Sequence, residues 1–293
     1  MNYYNAILLR LAADAAAHGG NTDMNDEIQA VLNHESPGCI VQGDCLEVLP
    51  MLPPARMIFA DPPDNLGIQY DGFTDKWSSN GAYTTWLEQM ACAAMGHEPD
   101  VFWVSYYWTW DVAFKAKVYG HLYPYNIKPY VWWYTFGQHQ NRDNGSCFRP
   151  MLRFSRQGVK WNTDAIREPS ARQREYNDKR ANPDGRVPGD VWDCVWQESR
   201  VCGTFKEKRK WHKNQHPEAL IERMILMSTK PGDLVIDMFA GTGTVNRVCK
   251  QLNRRCIGIE ISPVYCEKIH AETDIAIVAG SASNATKLFD GSS

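Results

Sequence analysis

The chain has 293 residues, 44% of them hydrophobic and 22% charged, which is enough for one large domain with an insertion and a substantial buried core. No apolar run approaches the roughly 20 residues of a membrane-spanning helix, and the formal net charge of −3 argues neither for nor against a nucleic-acid partner. The nine cysteines are scattered singly without zinc-type spacing, so we expect reduced thiols in a cytoplasmic protein with no metal site and no membrane anchor.

Residues 1–37 read as a polar, helix-prone arm, whose apolar stretch is interrupted by Arg10 and Asp14 and so does not fit a secretion signal. From residue 38 onward, short apolar runs alternate with helical stretches. This alternation predicts an α/β fold with a mostly parallel twisted sheet and helices on both faces. The predicted strands here are 39–42, 57–60, 101–105 and 130–134, and the predicted helices are 82–95 and 109–119.

Residues 137–211 interrupt the alternation and are rich in Arg, Asn, Gly, Pro and Trp, with one weak strand signal at 151–154. The stretch from Arg142 to Lys213 carries 17 lysines and arginines against 10 aspartates and glutamates. Such a basic excess is a candidate phosphate-binding surface, although many charged runs are only solvated faces. We interpret 137–211 as an insertion.

The alternation returns after residue 211. The predicted elements are a helix at 218–228, a strand at 234–237, a helix at 245–252 and a strand at 256–260. We assign 38–136 and 212–275 to the two halves of one fold, and 276–293 to a polar tail.

A glycine loop joins the strand 234–237 to the next helix in the run Asp237-Met238-Phe239-Ala240-Gly241-Thr242-Gly243-Thr244. Glycines let the backbone turn tightly and approach a ligand closely. Asn246 replaces the third glycine of the dinucleotide fingerprint, so a pyrophosphate cofactor fits poorly. Glu260 ends the next strand, where its carboxylate can accept hydrogen bonds from both ribose hydroxyls of a nucleoside. The alternative is a tight turn beside a surface acid.

The strand 57–60 runs directly into Asp61-Pro62-Pro63-Asp64, at the sheet edge where doubly wound folds bind ligands. Two consecutive prolines fix φ and remove two backbone donors, which leaves the Pro62 carbonyl and the Asp61 side chain as rigid acceptors. Two acceptors suit the exocyclic NH2 of a base, because holding both hydrogens frees the nitrogen lone pair to attack a sulfonium methyl group. A proline-rich turn without a catalytic role is the alternative.

Asp-Pro-Pro followed much later by Phe-x-Gly-x-Gly resembles the permuted beta class of DNA amino-methyltransferases, which modify adenine N6 or cytosine N4. The resemblance covers roughly residues 38–270 and includes four motifs in the order of the family. They are Gly43-Asp44-Cys45-Leu46, Asp61-Pro62-Pro63-Asp64-Asn65-Leu66, His212-Lys213-Asn214-Gln215-His216-Pro217-Glu218-Ala219-Leu220 and the run from Asp237 to Thr244. The resemblance implies a Rossmann-like methyltransferase fold in which 137–211 is the target-recognition insertion.

The resemblance also implies the ligands and their contacts. The cofactor would be S-adenosylmethionine without a metal, the partner double-stranded DNA, and a homodimer is compatible with the family. Asp44 would contact the cofactor's adenine and Glu260 its ribose. The methionyl and ribose region of the cofactor would contact Asp237 and, in the glycine loop, Phe239, Gly241, Gly243 and Thr244. Gln215, His216 and Asp61 would also contact the cofactor. The target amino group would be held by the catalytic motif Asp61, Pro62, Pro63 and Asp64.

Asp64 departs from the family, in which a Tyr, Phe or Trp at this position stacks on the flipped base. Stacking is worth about 1 to 3 kcal/mol per base, so a carboxylate here should weaken capture unless another ring substitutes. Tyr70, Phe73 and Trp77 are the nearest candidates, and each could equally serve packing within its loop.

Relatives whose motif begins with Asp usually modify adenine N6, and those that begin with Ser usually modify cytosine N4, so Asp61 indicates adenine. Cytosine C5 chemistry needs a nucleophilic cysteine, commonly in Pro-Cys, and this chain has no such pair. Cytosine N4 methylation, RNA adenine methylation and a catalytically silent DNA-binding relative remain as alternatives. Contacts with phosphates or guanine edges are predicted for Arg142, Arg149, Arg153, Arg156, Lys206, Lys208, Arg209 and Lys210.

Overall fold

The computed structural model describes residues 22–121, 125–134, 143–193 and 207–280. Its strands are β1 (Gly38–Gln42), β2 (Met57–Ala60), β3 (Val101–Ser105), β4 (Tyr125–Trp133), β5 (Phe148–Arg156), β6 (Val191–Asp193), β7 (Leu234–Asp237), β8 (Arg255–Glu260) and β9 (Ala276–Ala279). Within the described ranges these strands form one sheet in the order β6-β4-β5-β3-β2-β7-β8-β1-β9.

Six neighbouring strands from β3 to β9 in that order run parallel, whereas β5 is antiparallel to both β3 and β4. The strands β1, β2, β7 and β8 therefore all end at the same edge of the sheet. Their residues are almost wholly buried, as expected for parallel strands covered on both faces. The predicted fold class, a mostly parallel α/β sheet of Rossmann-like type, is confirmed.

Helices cover both faces of the sheet. They are α1 (Thr22–Leu32), α2 (Cys45–Val48), α3 (Asn80–Gly96), α4 (Asp111–Val118), α5 (Ala171–Arg174), α6 (Glu218–Ser228), α7 (Thr244–Gln251) and α8 (Pro263–Thr273). Helices α1, α3 and α4 contribute to one core, with Leu87 and Phe114 fully buried against the sheet. Helices α6 and α7 form the core on the other face, where Met224 and Val248 pack.

The predicted strands β2, β3 and β7 and the predicted helix α6 have the bounds found in the structure. Two strands differ from expectation. β4 begins at Tyr125 instead of residue 130, and β5 extends over nine residues instead of four. In both cases polar or charged side chains at the strand ends weaken the apolar signal on which the sequence prediction rests.

The structure also changes two segment boundaries. β5 belongs to 137–211 but lies inside the sheet between β3 and β4, with Met151, Leu152 and Phe154 buried, so the described part of this segment is not separate from the sheet. The C-terminal tail placed at 276–293 begins later, because β9 pairs with β1. Helix α8 was not predicted, and it begins at Pro263 after a Ser262 side chain that accepts a hydrogen bond from the Tyr265 N–H.

The structure also bears on membrane-spanning helices and metal sites, neither of which is expected from the sequence. Among the helices described, none is long and apolar enough to cross a membrane. Within the same ranges, no group of three or more His, Cys, Asp and Glu side chains is placed to hold a metal ion.

Candidate active site

A cleft opens at the sheet edge where β1, β2, β7 and β8 end. The space between its walls, counted together with the solvent open to it, is about 1020 Å³. The structure brings the sequence-distant motifs together around it. The predicted residues along its walls are Asp44, Asp61, Pro62, Pro63, Gln215, His216, Asp237, Phe239, Gly241, Thr244 and Glu260.

Asp61 is the first residue after β2, and both of its carboxylate oxygens have partners. Arg149 Nη2 donates to Oδ1 at 2.7 Å, and Oδ2 lies 3.0 Å from Nδ1 of His216. Burial alone would raise the pKa of Asp61, but its electrostatic interactions and hydrogen bonds with His216 and Arg149 outweigh burial and lower the pKa to about 2. Asp61 is therefore an ionised acceptor at neutral pH.

The turn that follows Asp61 is held by two aromatic side chains. The Tyr83 hydroxyl donates to the Pro63 carbonyl at 2.7 Å, and the Trp110 indole donates to the Asp64 carbonyl at 2.8 Å. No described residue donates a hydrogen bond to the Pro62 carbonyl. Within the described part of the chain, the Pro62 carbonyl is thus an acceptor without a hydrogen-bond donor.

Asp64 is buried, and its carboxylate binds the Arg149 guanidinium through two hydrogen bonds of 2.9 Å. A side chain held in this way does not itself offer a face to a flipped base. Arg149 was predicted to contact DNA phosphates or guanine edges, and this prediction is corrected. Only 13% of its side chain is exposed, and its guanidinium binds Asp61 and Asp64 instead.

Ser105 completes this group of side chains and was missed by sequence reasoning. Its hydroxyl accepts a hydrogen bond of 2.8 Å from Arg149 Nε and lies 2.9 Å from His216 Nε2. It is the last residue of β3, the strand beside β2. A polar residue at the carboxyl end of a neighbouring parallel strand is the signal that could have identified it.

Asp44, Asp237 and Glu260 lie on the cofactor side of the cleft and are buried. Each accepts hydrogen bonds from backbone N–H groups. Asp44 accepts from Leu46, Asp237 accepts from Phe239, and Glu260 accepts from both Gly241 and Ser262. Burial raises the pKa of Asp44 to about 6, of Glu260 to about 7 and of Asp237 to about 8. In the ligand-free cleft these carboxyls are therefore partly protonated near neutral pH, and a positively charged ligand would favour their ionised forms.

Glu260 has the geometry expected of a ribose-binding carboxylate. Its two oxygens accept from the N–H groups of Ser262 and Gly241 at 2.9 and 2.8 Å, so each has one hydrogen bond. A carboxylate oxygen carries two lone pairs, so each oxygen retains one acceptor site. Two neighbouring hydroxyls of a nucleoside could bind there without displacing the backbone contacts.

The two glycines of the loop serve different purposes. Gly241 has φ of +51°, and a Cβ there would lie 3.3 Å from the ring of His212, another residue of the cleft wall. Gly243 has φ of +69°, precedes α7 and would clash with Ile269 Cγ2 at 2.8 Å. Packing against Ile269 therefore accounts for Gly243 without the predicted ligand contact.

Gln215 and Thr244 are engaged within the protein. The Gln215 amide accepts from the Arg209 N–H and donates to the Glu207 carbonyl, both at 2.8 Å. Thr244 exchanges a hydrogen bond of 2.8 Å with Thr242. Both residues line the cleft, where they hold its walls in place.

A family model described as DNA methylase matches residues 55–272 of the chain, which include this site. The chain belongs to that DNA methylase family.

Curated relatives agree with this assignment. The type II methyltransferase M.HpaI of Haemophilus parainfluenzae is 34% identical over 225 residues, 74% of this chain and 68% of the relative. The DNA adenine methyltransferase YhdJ of Escherichia coli K12 is 32% identical over 251 residues, 81% of this chain and 83% of the relative.

Solved structures share the fold. The M1.HpyAVI–SAM complex matches with a TM-score of 0.55 and 19% identity, covering 81% of this chain and 100% of that chain. The PvuII DNA methyltransferase, described as cytosine-N4-specific, matches with a TM-score of 0.60 and 16% identity, covering 87% and 91%. At these identities the likeness concerns the fold alone.

In this DNA methylase, the three rings proposed for base stacking differ in position. Trp77 lines the cleft but is buried, with its ring packed 4.8 Å from the rings of Tyr83 and Trp86, so little of the ring is exposed for stacking on a base. Tyr70 stacks on Phe73 at 5.3 Å, and its hydroxyl accepts from Asn214 at 3.1 Å. Both rings line the cleft, and Tyr70 remains the candidate.

The remaining basic residues predicted to contact DNA are spread over the sheet. Arg153 lies 3.8 Å over the ring of Trp161 and donates to the Tyr130 hydroxyl at 2.7 Å. Arg156 ends β5 at the sheet edge opposite Asp61 and pairs with Glu98, and its contact with DNA phosphates or guanine edges remains a prediction.

The short basic block before the His212 motif is only partly described. Arg209 pairs with Glu272 at 2.7 Å, Lys208 is half-buried and Lys210 is exposed. Lys206 and Arg142 lie outside the described residues. A DNA contact therefore remains a prediction for Lys208, Arg209 and Lys210.

The buried carboxyls make the stability of the ligand-free protein pH-dependent. Asp237 has a pKa of about 8 when folded, against 3.8 as the usual value, so the folded state binds more protons between these limits. Its contribution is present at low pH and is lost as the pH rises through about 8. Asp237→Asn is expected to gain stability relative to wild type between about pH 5 and pH 8, measured by thermal unfolding. Parallel curves for the two proteins would contradict the pKa of Asp237.

Proposed function

We propose that this DNA methyltransferase transfers a methyl group from S-adenosylmethionine to N6 of a flipped adenine in double-stranded DNA. One observation carries the proposal. Asp61, whose carboxylate is ionised, and the next residue, Pro62, line the same cleft as Asp44, Asp237 and Glu260. Two acceptors for an amino group thus lie in the same cleft as a nucleoside-binding wall.

The residues on the cofactor side fit S-adenosylmethionine. Glu260 has acceptor sites for two ribose hydroxyls, and Asp44, which is buried beside α2, would accept from the adenine amino group. Asp237 and the loop as far as Gly241 would hold the methionyl and ribose region, and a bound cation would lower the raised pKa of Asp237 and favour its ionised form. When bound, S-adenosylmethionine supplies an electrophilic methyl group on a sulfonium.

Asp61 and Pro62 would act on the amino group of the target base. One hydrogen is accepted by Asp61 and the other by the Pro62 carbonyl, which removes the lone pair from conjugation with the ring. The bond between the methyl carbon and the nitrogen would form as the bond between that carbon and sulfur breaks, with S-adenosylhomocysteine as the leaving group. The positive charge that develops on the nitrogen would be stabilised by the Asp61 carboxylate. The proton that the nitrogen then releases can pass to the same carboxylate, and Tyr70 would stack on the base.

The relatives support DNA as the substrate, and YhdJ is named a DNA adenine methyltransferase. A second candidate is cytosine N4, since the PvuII enzyme of the same fold is described as specific for it. Both bases present an exocyclic amino group, so the same two acceptors would serve either reaction.

Transfer of tritiated methyl groups from S-adenosylmethionine to duplex DNA, single-stranded DNA and RNA tests the proposed substrate. Incorporation is expected in unmethylated duplex DNA and not in DNA isolated from cells that express the active protein. Preferred incorporation into RNA would contradict the proposal. Cofactor binding measured by calorimetry, without incorporation into any polymer, would indicate a silent DNA-binding relative.

A further inference from the structure

Arg149 is surrounded by acceptors in the wall of the cleft. Its Nε donates to Ser105 Oγ at 2.8 Å, its Nη1 to Asp64 Oδ2 at 2.9 Å, and its Nη2 to Asp64 Oδ1 at 2.9 Å and Asp61 Oδ1 at 2.7 Å. A guanidinium has five N–H donors in a rigid plane, and four of them are used here. One cation therefore connects two buried carboxylates that belong to the same turn.

We propose that Asp64 and Arg149 are positioning residues for Asp61: Asp64 holds the guanidinium, and the guanidinium holds one oxygen of Asp61 so that its remaining acceptor sites face the target amino group. The inference rests on the proposed function and specifies how its acceptor is oriented. Neither residue needs to touch the base.

The division of hydrogen bonds shows why the second carboxylate matters. Arginine and carboxylate groups readily form two parallel hydrogen bonds. Without Asp64, the guanidinium of Arg149 would be free to bind both oxygens of Asp61 and occupy acceptor sites that the amino group needs. In the structure Asp64 accepts two parallel hydrogen bonds from the guanidinium, and Asp61 accepts a single hydrogen bond from Arg149.

The charge on Arg149 also offsets the cost of burying Asp61. Burial would lower the pKa of Arg149, but the carboxylates of Asp64 and Asp61 raise it, so the guanidinium stays charged. Several other groups act on Asp61 from the surrounding elements. They are Asp64 in the same turn, His212 and His216 before α6, Asp237 at the end of β7, and Tyr70 in the loop before α3.

The pH profile of methyl transfer separates positioning from a merely structural role. In Arg149→Gln the cation is lost and the pKa of Asp61 rises. Protonation of Asp61 should therefore reduce methyl transfer at a higher pH than in wild type, so the acid limb of the pH profile should move toward neutral pH. The ratio of single-turnover rates at about pH 8.5 and about pH 5.5 is expected to increase by about tenfold over wild type. Asp64→Asn keeps the cation and removes a neighbouring negative charge, so it is expected to lower the rate about tenfold without moving the acid limb toward neutral pH.

Arg56→Gln is the control, because Arg56, like Arg149, forms an ion pair with an aspartate, but its partner is Asp100 at the opposite edge of the sheet. It is expected to lower the unfolding temperature and to leave the shape of the profile unchanged. If Arg149→Gln does not fold, the double variant Arg149→Gln with Asp64→Asn can be used, because it also removes the buried Asp64 charge that would otherwise lack a partner. The position of the acid limb of its pH profile is then measured in the same way.

The outcomes distinguish the inference from the function on which it rests. A profile for active Arg149→Gln, or for the double variant, parallel to that of wild type would overturn the inference alone. Wild-type protein inactive at every pH would overturn the proposed function and the inference with it. An acid limb displaced by Arg149→Gln and not by Arg56→Gln would support the inference.

Discussion

Asp61→Ala is expected to lower the rate of methyl transfer by about 100-fold to 1000-fold while S-adenosylmethionine binds nearly as tightly as to wild type. The substitution removes one of the two acceptors for the amino group and the charge that stabilises the reacting nitrogen. The variant should fold, because Arg149 keeps both of its hydrogen bonds to Asp64. Single-turnover rates and calorimetric titration with the cofactor measure the two effects separately.

Asp26→Ala is a suitable control for that experiment, since Asp26 is exposed on α1 and has no part in the cleft. It should leave the rate and the cofactor affinity unchanged. Activity retained in Asp61→Ala would mean that Asp61 is not the acceptor for the target amino group, and the proposed mechanism would then be wrong.

Gly241→Val is expected to weaken S-adenosylmethionine binding by at least about 100-fold, which corresponds to about 2.7 kcal/mol. At φ of +51° a β-branched residue is strained, and its Cβ would lie 3.3 Å from the His212 ring, with the two methyl groups extending further into the cleft. Equilibrium dialysis with labelled cofactor measures the change.

Gly158→Val provides the matched comparison for this loop. Gly158 has φ of +79°, so the backbone strain is similar, but no heavy atom lies within 4 Å of the added Cβ, and the residue is exposed away from the cleft. It should lower the unfolding temperature without changing cofactor affinity. Equal losses of affinity in both variants would show that strain alone, and not a block at the cleft, is responsible.

The parts of the fold that the sequence predicts well are those with local signals. β2 and β7 are short apolar runs that end in a proline turn and a glycine loop, so their bounds and the place of Asp61 and Asp237 follow from neighbouring residues. The common sheet edge follows as well, since parallel strands must end on the same side.

Other parts depend on contacts between distant residues. In β5 the apolar positions are separated by Arg149, Arg153 and Arg156, which gives the strand the composition of a basic loop. Two of these side chains meet their partners only in the folded chain: Arg149 binds Asp61 and Asp64, and Arg153 lies over the ring of Trp161. Contacts between residues far apart in the sequence are not visible in local composition, so the composition of 137–211 alone indicates a surface that contacts DNA.

Asp64 shows the same limit within the site. From the sequence, Asp64 stands where the family has an aromatic ring that stacks on the flipped base, which indicates weaker capture of the base. Only the position of β5 beside β3 brings Arg149 and Ser105 to the turn, and with them a reason for a carboxylate at this position.

Mass spectrometry of the nucleosides from duplex DNA incubated with the protein and S-adenosylmethionine tests the proposed reaction most directly. N6-methyladenine is the expected product, present with wild-type protein and absent with Asp61→Ala. N4-methylcytosine would contradict the assignment of adenine while leaving the two acceptors in their role. The absence of any methylated nucleoside would contradict the proposal that this cleft is the site of amino-group methylation.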